Sequence, residues 1–319
     1  MKLIPLLVGA ICAIAAVSVS AQNFPTKPIR VLVAQAAGGP TDVTTRIYAS
    51  KMSELLGQQM VVDKRPGAGG SVAGEIVARA PADGYTLCSA ANGTIAIAPN
   101  FLKLTYSATK DLAPVALIGD SPLALMVHPS LPAATVKELI ALAKAKPGAI
   151  NFGSSGLAGT GHLAGELLKM MAGIDIVHVP YKGAAPALTG VAAGEAQMLI
   201  SGLSSGLPFI QSKRLRAIGV TSAKRLPVLP DVPAIAETVP GYEAGSWYAV
   251  LAPARTPRAI IERLNRESIK TVTDSDIRSK LIAAGLEIYA MSPEELGTKI
   301  RLETERWGKV VKATGVKPQ

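Results

Sequence analysis

The sequence predicts an α/β fold of two domains joined by hinge crossovers. Short apolar runs alternate with helical periodicities along the whole chain, the pattern of mainly parallel sheets with helices on both faces. Strand, glycine turn and helix start follow one another twice, over 29–42 and 150–163. Two extended stretches, Leu112–Pro122 and Gly241–Trp247, offer crossings between domains. Leaving at the first and returning at the second gives one domain of 23–121 plus 246–319 and another of 122–245. A paired crossover is a natural hinge, and hinged α/β domains close on ligands.

The chain begins with a minimal basic start, Met1-Lys2, and an almost wholly apolar stretch from Leu3 to Val19. Val19-Ser20-Ala21 fits a small-residue cleavage pattern, so 1–21 reads as a signal peptide and Gln22 as the mature N-terminus. An uncleaved anchor helix is the competing reading, because the stretch is nearly long enough to span a bilayer; the small-residue end favours cleavage. Cys12 lies inside the apolar run, which argues against a lipid anchor. No later segment has 18 consecutive apolar residues, so a soluble mature chain is expected.

Strands are expected at Ile29–Val33, Met60–Val62, Thr86–Ala90, Ala124–Val127, Ile150–Gly153, Ile176–Val179, Gln197–Ile200, Arg216–Val220 and Trp247–Leu251. Helical periodicity occupies Val43–Leu56, Val72–Ala80, Val136–Lys144, Leu163–Met171, Pro186–Ala193, Arg258–Thr271 and Pro293–Ala313. No internal repeat or low-complexity tract interrupts them.

Composition narrows the function. The net charge is +10, from 33 Lys and Arg against 23 Asp and Glu, and loss of Lys2 with the leader makes it +9. The charge is scattered in pairs such as Lys213-Arg214 and Lys224-Arg225, and only four Phe are present, so nucleic-acid binding gets little support. Lys299, Arg301, Glu303, Glu305, Arg306 and Lys309 read as a solvated helix face. Without the leader Cys88 stands alone in an apolar context, expected as a buried thiol. No disulfide is then possible, and stability must come from the core.

The two glycine loops carry the binding chemistry. Gly38 and Gly39 remove the Cβ atoms that keep a ligand from the backbone, and Thr41 or Asp42 is expected to cap the following helix. A helix start of this kind attracts carboxylate or phosphate, although a plain βα turn accounts for the segment equally well. The second loop adds the hydroxyls of Ser154, Ser155 and Thr160, which with free N–H groups can hold a carboxylate without positive charge. Ser154 and Thr160 could instead only cap their helix, with His162 packed against it; for His162 the structural role is favoured. Facing each other across a cleft at strand carboxyl ends, the loops would grip a small acid.

Enzyme readings fare worse. Gly202-Leu203-Ser204-Ser205-Gly206 has the spacing of a nucleophile elbow, but His128, His162 and His178 all precede Ser204, and in that fold the histidine follows the serine. Gly159-Thr160-Gly161 with Ala164 is a weak dinucleotide fingerprint lacking a convincing acidic partner. Three scattered His and one Cys give no metal-ligand spacing. No cofactor and no metal are expected.

The sequence resembles the Bug family of extracytoplasmic solute receptors, the substrate-binding component of tripartite tricarboxylate transporters. The matching segments are Ala36 to Asp42, Arg65 to Gly70, Ala82 to Leu87, Gly153 to His162, His178 to Gly183, Leu229 to Pro233, and Leu251-Ala252-Pro253. They run in family order across essentially the whole mature chain. The resemblance implies a periplasmic-binding-protein-like fold that closes on a di- or tricarboxylate, an acidic amino acid, or an aromatic acid or its amide. By position it assigns ligand contacts to Ala37, Gly38, Gly39, Ser154, Ser155, Gly156, Thr160 and His162, with Ser89, Asn92, Tyr181 and Ser201 as further candidates at neighbouring strand ends. Asp42 would cap its helix rather than touch an anion. Where the family often has proline and an aromatic residue, this chain has Ala34-Gln35; Gln35 either places an amide in the cleft or faces solvent. Lys182 either attracts the anion or lies on the surface. The implied protein is a periplasmic monomer that delivers its ligand to membrane transporter subunits, with a periplasmic sensor docking to a membrane signalling protein as the alternative.

Overall fold

The computed structural model describes residues 24–35, 38–65, 67, 70–157 and 159–314. The expected signal peptide and its cleavage site, together with Ala37, lie outside the described residues.

Strand β1 (Ile29–Val33) pairs in parallel with β2 (Met60–Lys64) and with β3 (Thr86–Ala91). Strand β9 (Gly245–Pro253) pairs antiparallel with β3 and, on its other side, with Leu112–Pro122 of the long strand β4 (Leu112–Val127). The remainder of β4, Leu123–Val127, pairs antiparallel with β7 (Met198–Gly202) and, through a register shift, with β8 (Arg216–Val220). Strand β5 (Asn151–Ser154) runs parallel between β7 and β6 (Val177–Pro180). Expected as mainly parallel, the sheets are mixed: β4 and β9 run against their neighbours. The helix-free stretch at Leu112–Pro122 is itself strand.

The helices are α1 (Pro40–Leu56), α2 (Ser71–Ala78), α3 (Val136–Ala145), α4 (Thr160–Ala172), α5 (Ala184–Ala192), α6 (Leu203–Gln211), α7 (Arg258–Thr273), α8 (Ser275–Ala283) and α9 (Pro293–Thr314). A π-helical turn, Gly93–Ile97, follows β3. Side-chain alternation explains why near-continuous apolar strands are needed. On β1, Val31 joins a core with Tyr48, Met52 and Leu264, while adjacent Leu32 joins the opposite face with Ala73, Val77 and Leu296. On β7, Ile200 packs with Phe152, Leu163 and Leu167, and Leu199 with Leu188, Val191 and Leu203. Each sheet is therefore covered on both faces.

Helix α9 belongs to both halves. Leu296 and Ile300 sit in the core around Leu32, whereas Trp307, Val310 and Val311 sit in the core around Phe152 and Leu163. Lys299 is not on a solvated face: its Nζ donates to both carboxylate oxygens of Asp120 on β4, at 3.0 and 2.9 Å, and the Tyr289 hydroxyl donates to Asp120 Oδ2 at 2.6 Å. Cys88 is buried as expected, and burial pushes its thiol up to about 12. Among the described residues no helix is long and apolar enough to cross a membrane.

Candidate functional site

Helices α1 and α4 start in the same way. Their N-cap residues, Gly39 and Gly159, have extended backbone (φ −71°, ψ 162° and φ −70°, ψ 159°) and no side chain to bond the first amides. The first intrahelical bonds run from Val43 N–H to Gly39 O and from Leu163 N–H to Gly159 O. The amides of Thr41 and Asp42, and those of Thr160, Gly161 and His162, thus precede the helical ladder. By contrast, α3 is capped by the Thr135 hydroxyl and α8 by the Asp274 carboxylate.

This corrects the expected capping. Pro40 occupies the first helical position, so Thr41 and Asp42 lie inside the helix. Asp42 instead reaches backward, its Oδ2 accepting from Gly38 N–H at 3.0 Å while Arg46 Nε lies 3.1 Å from Oδ1. Burial pushes this carboxyl up, but the Gly38 N–H and the Arg46 guanidinium together outweigh it and hold the group below its usual range. The carboxylate is thereby ionised, with Oδ2 hydrogen-bonded and Oδ1 buried beside Arg46 without a hydrogen bond of its own, and the Gly38 amide is spent. Gly38 has φ +74°, which explains the glycine itself. Thr41 Oγ1 donates to Gln35 Oε1 at 2.6 Å, so Gln35 is tied to α1 by its amide.

Around the second loop, Ser154 Oγ donates to Gly156 O at 2.9 Å and lies 2.7 Å from His178 Nε2. A hydroxyl has one proton, so His178 must carry its own on Nε2 and donate to Ser154. Gly156 N–H also donates to Ser154 Oγ, at 3.2 Å. His178 stacks on His162 with ring centroids 3.8 Å apart, and Phe152 lies 4.9 Å from His178. Burial lowers His162 to about 4 and His178 to about 3, helped in both by the charge of Lys169. Both imidazoles are therefore neutral at pH 7, and the contact of His162 Nε2 with Glu166 at 3.9 Å is no ion pair there. Burial also pushes the Glu166 carboxyl up, against the pull of Lys169.

Helices α1 and α4 each reach the end of β3. Thr45 Oγ1 of α1 donates to Thr41 O at 2.6 Å and accepts from Ser89 Oγ at 2.7 Å. Three residues on, Asn92 Oδ1 accepts from Thr160 Oγ1 of α4 at 3.5 Å. Gly38 and Gly39 lie in the turn before α1, which Thr45 ties to Ser89; Asn92 touches Thr160 of α4, the helix that carries His162; and Ser154, Ser155 and Gly156 lie in the loop before α4. Ser89 is fully buried with its hydroxyl engaged, which makes it a support. Ser201 lies buried on β7, beside Ile200, whose carbonyl α4 approaches closely at Gly161. Tyr181 points elsewhere: its hydroxyl donates to Glu195 Oε2 at 3.1 Å and its ring covers Gly153 and Gly190. Lys182 is exposed. Sequence reading missed His178 and Thr45 as the partners that hold Ser154 and Ser89, since His178 acts from the neighbouring strand and Thr45 from helix α1.

Comparisons with known proteins bear on the family and the fold. The family model described as "Tripartite tricarboxylate transporter family receptor" matches residues 44–316. The R. palustris protein Rpa4515, solved with adipate, is 37% identical with a TM-score of 0.85, covering 93% of this chain and all of that one. MatC (Rpa3494) from Rhodopseudomonas palustris, solved with bound malate, is 30% identical with a TM-score of 0.81, covering 90% of this chain and all of that one. The periplasmic binding protein BugD is 30% identical with a TM-score of 0.81, over 93% of this chain and all of that one. The fold is the two-domain α/β architecture of periplasmic solute-binding proteins. The chain belongs to the tripartite tricarboxylate transporter receptor family, a Bug-type family of solute-binding receptors and not of enzymes.

Proposed function

We propose that this chain is a periplasmic receptor that captures a small carboxylate between its two glycine-started helices and presents it to a membrane transporter. The observation that carries the reading is the pair of helix starts, α1 and α4, whose N-cap glycines supply no side-chain cap and which both touch the end of β3, α1 through Thr45 on Ser89 and α4 through Thr160 on Asn92. Backbone amides at a helix N-terminus hold an anion without a counter-charge. The donors on the first side are the Thr41 and Asp42 amides, and on the second the Thr160 and Gly161 amides with the Ser155 hydroxyl. Adipate in Rpa4515 and malate in MatC support a dicarboxylate as the ligand class. Binding would work by population shift: a ligand gripped from both sides favours the closed arrangement, which the membrane partner recognises.

The domain boundary belongs to this reading. Residues up to Ser121 plus those from Ser246 onward form one domain and 122–245 the other, with the hinge where Ser121 pairs with Ser246 and Pro122 with Gly245. The leader, residues 1–21, would direct export.

The test is thermal unfolding of the chain from Gln22 onward against adipate, malate, acidic amino acids and aromatic acids. A ligand at about 100 times its Kd adds about 2.7 kcal/mol, a rise of several degrees. Gly39→Val and Thr160→Val should each abolish that rise while leaving unliganded unfolding cooperative. Normal binding by both variants would refute the site.

A further inference from the structure

Asn92 is fully buried at the end of β3, and both ends of its amide are engaged in other elements. Its Nδ2 donates to Gly245 O at 2.8 Å. Its Oδ1 accepts from Ser246 Oγ at 3.1 Å and from Thr160 Oγ1 at 3.5 Å. Gly245 and Ser246 open the return strand β9 opposite Pro122 and Ser121 of β4. Thr160 is the first residue of α4, in the other half of the molecule. One amide therefore grips the return crossover with its nitrogen and touches the ligand loop with its oxygen.

We propose that Asn92 is not a ligand contact but the positioning residue for closure, a latch that ties Thr160 to the hinge strand in the closed arrangement whether or not ligand is present. The oxygen offers a carboxylate no donor, and one of the two Nδ2 hydrogens is held by Gly245 O. Its effect on affinity is indirect. A receptor whose competent state is only partly populated binds more weakly by that fraction, and the latch raises the fraction. The inference deepens the carboxylate-receptor reading, but closure itself can be measured without any ligand.

Spin labels on Arg79→Cys, just past the end of α2, and Lys144→Cys of α3 report the distance between the halves, with Cys88 buried and unreactive. The labelled protein should populate, without ligand, the distance seen in this structure. Asn92→Ala should lower the closed-to-open ratio about fivefold, the worth of one buried neutral hydrogen bond, and raise the Kd for adipate or malate by the same factor. Ser246→Ala, which removes one hinge-side donor, should shift the ratio the same way by less, and it carries the test if Asn92→Ala does not fold. A parent protein wholly open without ligand overturns the proposal, because the latch then holds nothing. So does an unchanged ligand-free distribution in the Asn92→Ala or Ser246→Ala protein, even if affinity falls, because Asn92 would then act on the ligand directly. Failure of every carboxylate to bind would sink the receptor reading but leave the ligand-free comparison decisive for the latch.

Discussion

Gly161 sits where α4 comes closest to β7, and a Cβ there would run into the carbonyl oxygen of Ile200. Alanine is the better helix former by about 1 kcal/mol, yet backbone cannot retreat as a flexible side chain can. Overpacking of this kind costs about 1–3 kcal/mol, so Gly161→Ala should be net destabilising in urea titration; an unchanged or raised midpoint would contradict the packing. The stacked His162 and His178 set a pH dependence. Both are neutral when folded, with values of about 4 and 3, against about 6.5 when unfolded. Below pH 6.5 the unfolded chain binds the protons that the folded one refuses, so stability is full above that pH and declines as pH falls toward 4 and then 3. The decline between pH 6.5 and 4 should be shallower in a His178→Asn protein than in the parent; parallel curves would show that the imidazoles do not carry it. At this scale the sequence was legible only in part. His162 reads from its neighbours as a packed residue and by position as a ligand contact, and the ring it stacks on lies on another strand, at a separation no local pattern reports.

Helix starts decide what the site can offer. The apolar periodicity placed α1 at Val43 and α4 at Leu163, three residues late in each case, because the turns that begin them are Pro-Thr-Asp and Thr-Gly-His and carry no apolar stripe. A glycine N-cap leaves no side-chain signature, so the sequence suggested Thr41 or Asp42 instead. Strands β1 and β8 were legible to the residue, since short apolar runs bounded by loops leave little choice. Helix α6 was hidden inside a serine-glycine motif, and α8 has too weak an apolar face to stand out. The uncapped starts make a paired prediction. Gly39→Ser keeps the extended backbone and supplies a hydroxyl to the first amides, so it should add a few tenths of a kcal/mol to the unliganded protein while weakening carboxylate binding; both are readable from denaturation with and without ligand. Thr135→Ala at the capped start of α3 should cost about 1 kcal/mol and leave affinity unchanged. Equal effects of the two substitutions on binding would mean that the α1 amides are not special.

For the whole molecule, the ends of the chain matter more than its length. The alternation of strand and helix was enough to read an α/β fold of two halves, but it could not show that β9 runs antiparallel between β3 and β4, or that α9 packs into both halves. Strand partners are chosen by tertiary fit, which leaves no periodic trace. Both halves are completed by segments that come last: β9 fills the centre of the first sheet, and Trp307, Val310 and Val311 close the core around Phe152 and Leu163. Neither half can then assemble from the first 244 residues. A chain ending at Ala244 should show no cooperative thermal transition, and a sharp one would show that an independent half exists. Synthesis runs in the other direction from this dependence. Until the final helix leaves the ribosome, the polypeptide has no finished core to collapse onto, which keeps it threadable. A fold whose keystone is made last stays open to whatever must handle the unfolded polypeptide.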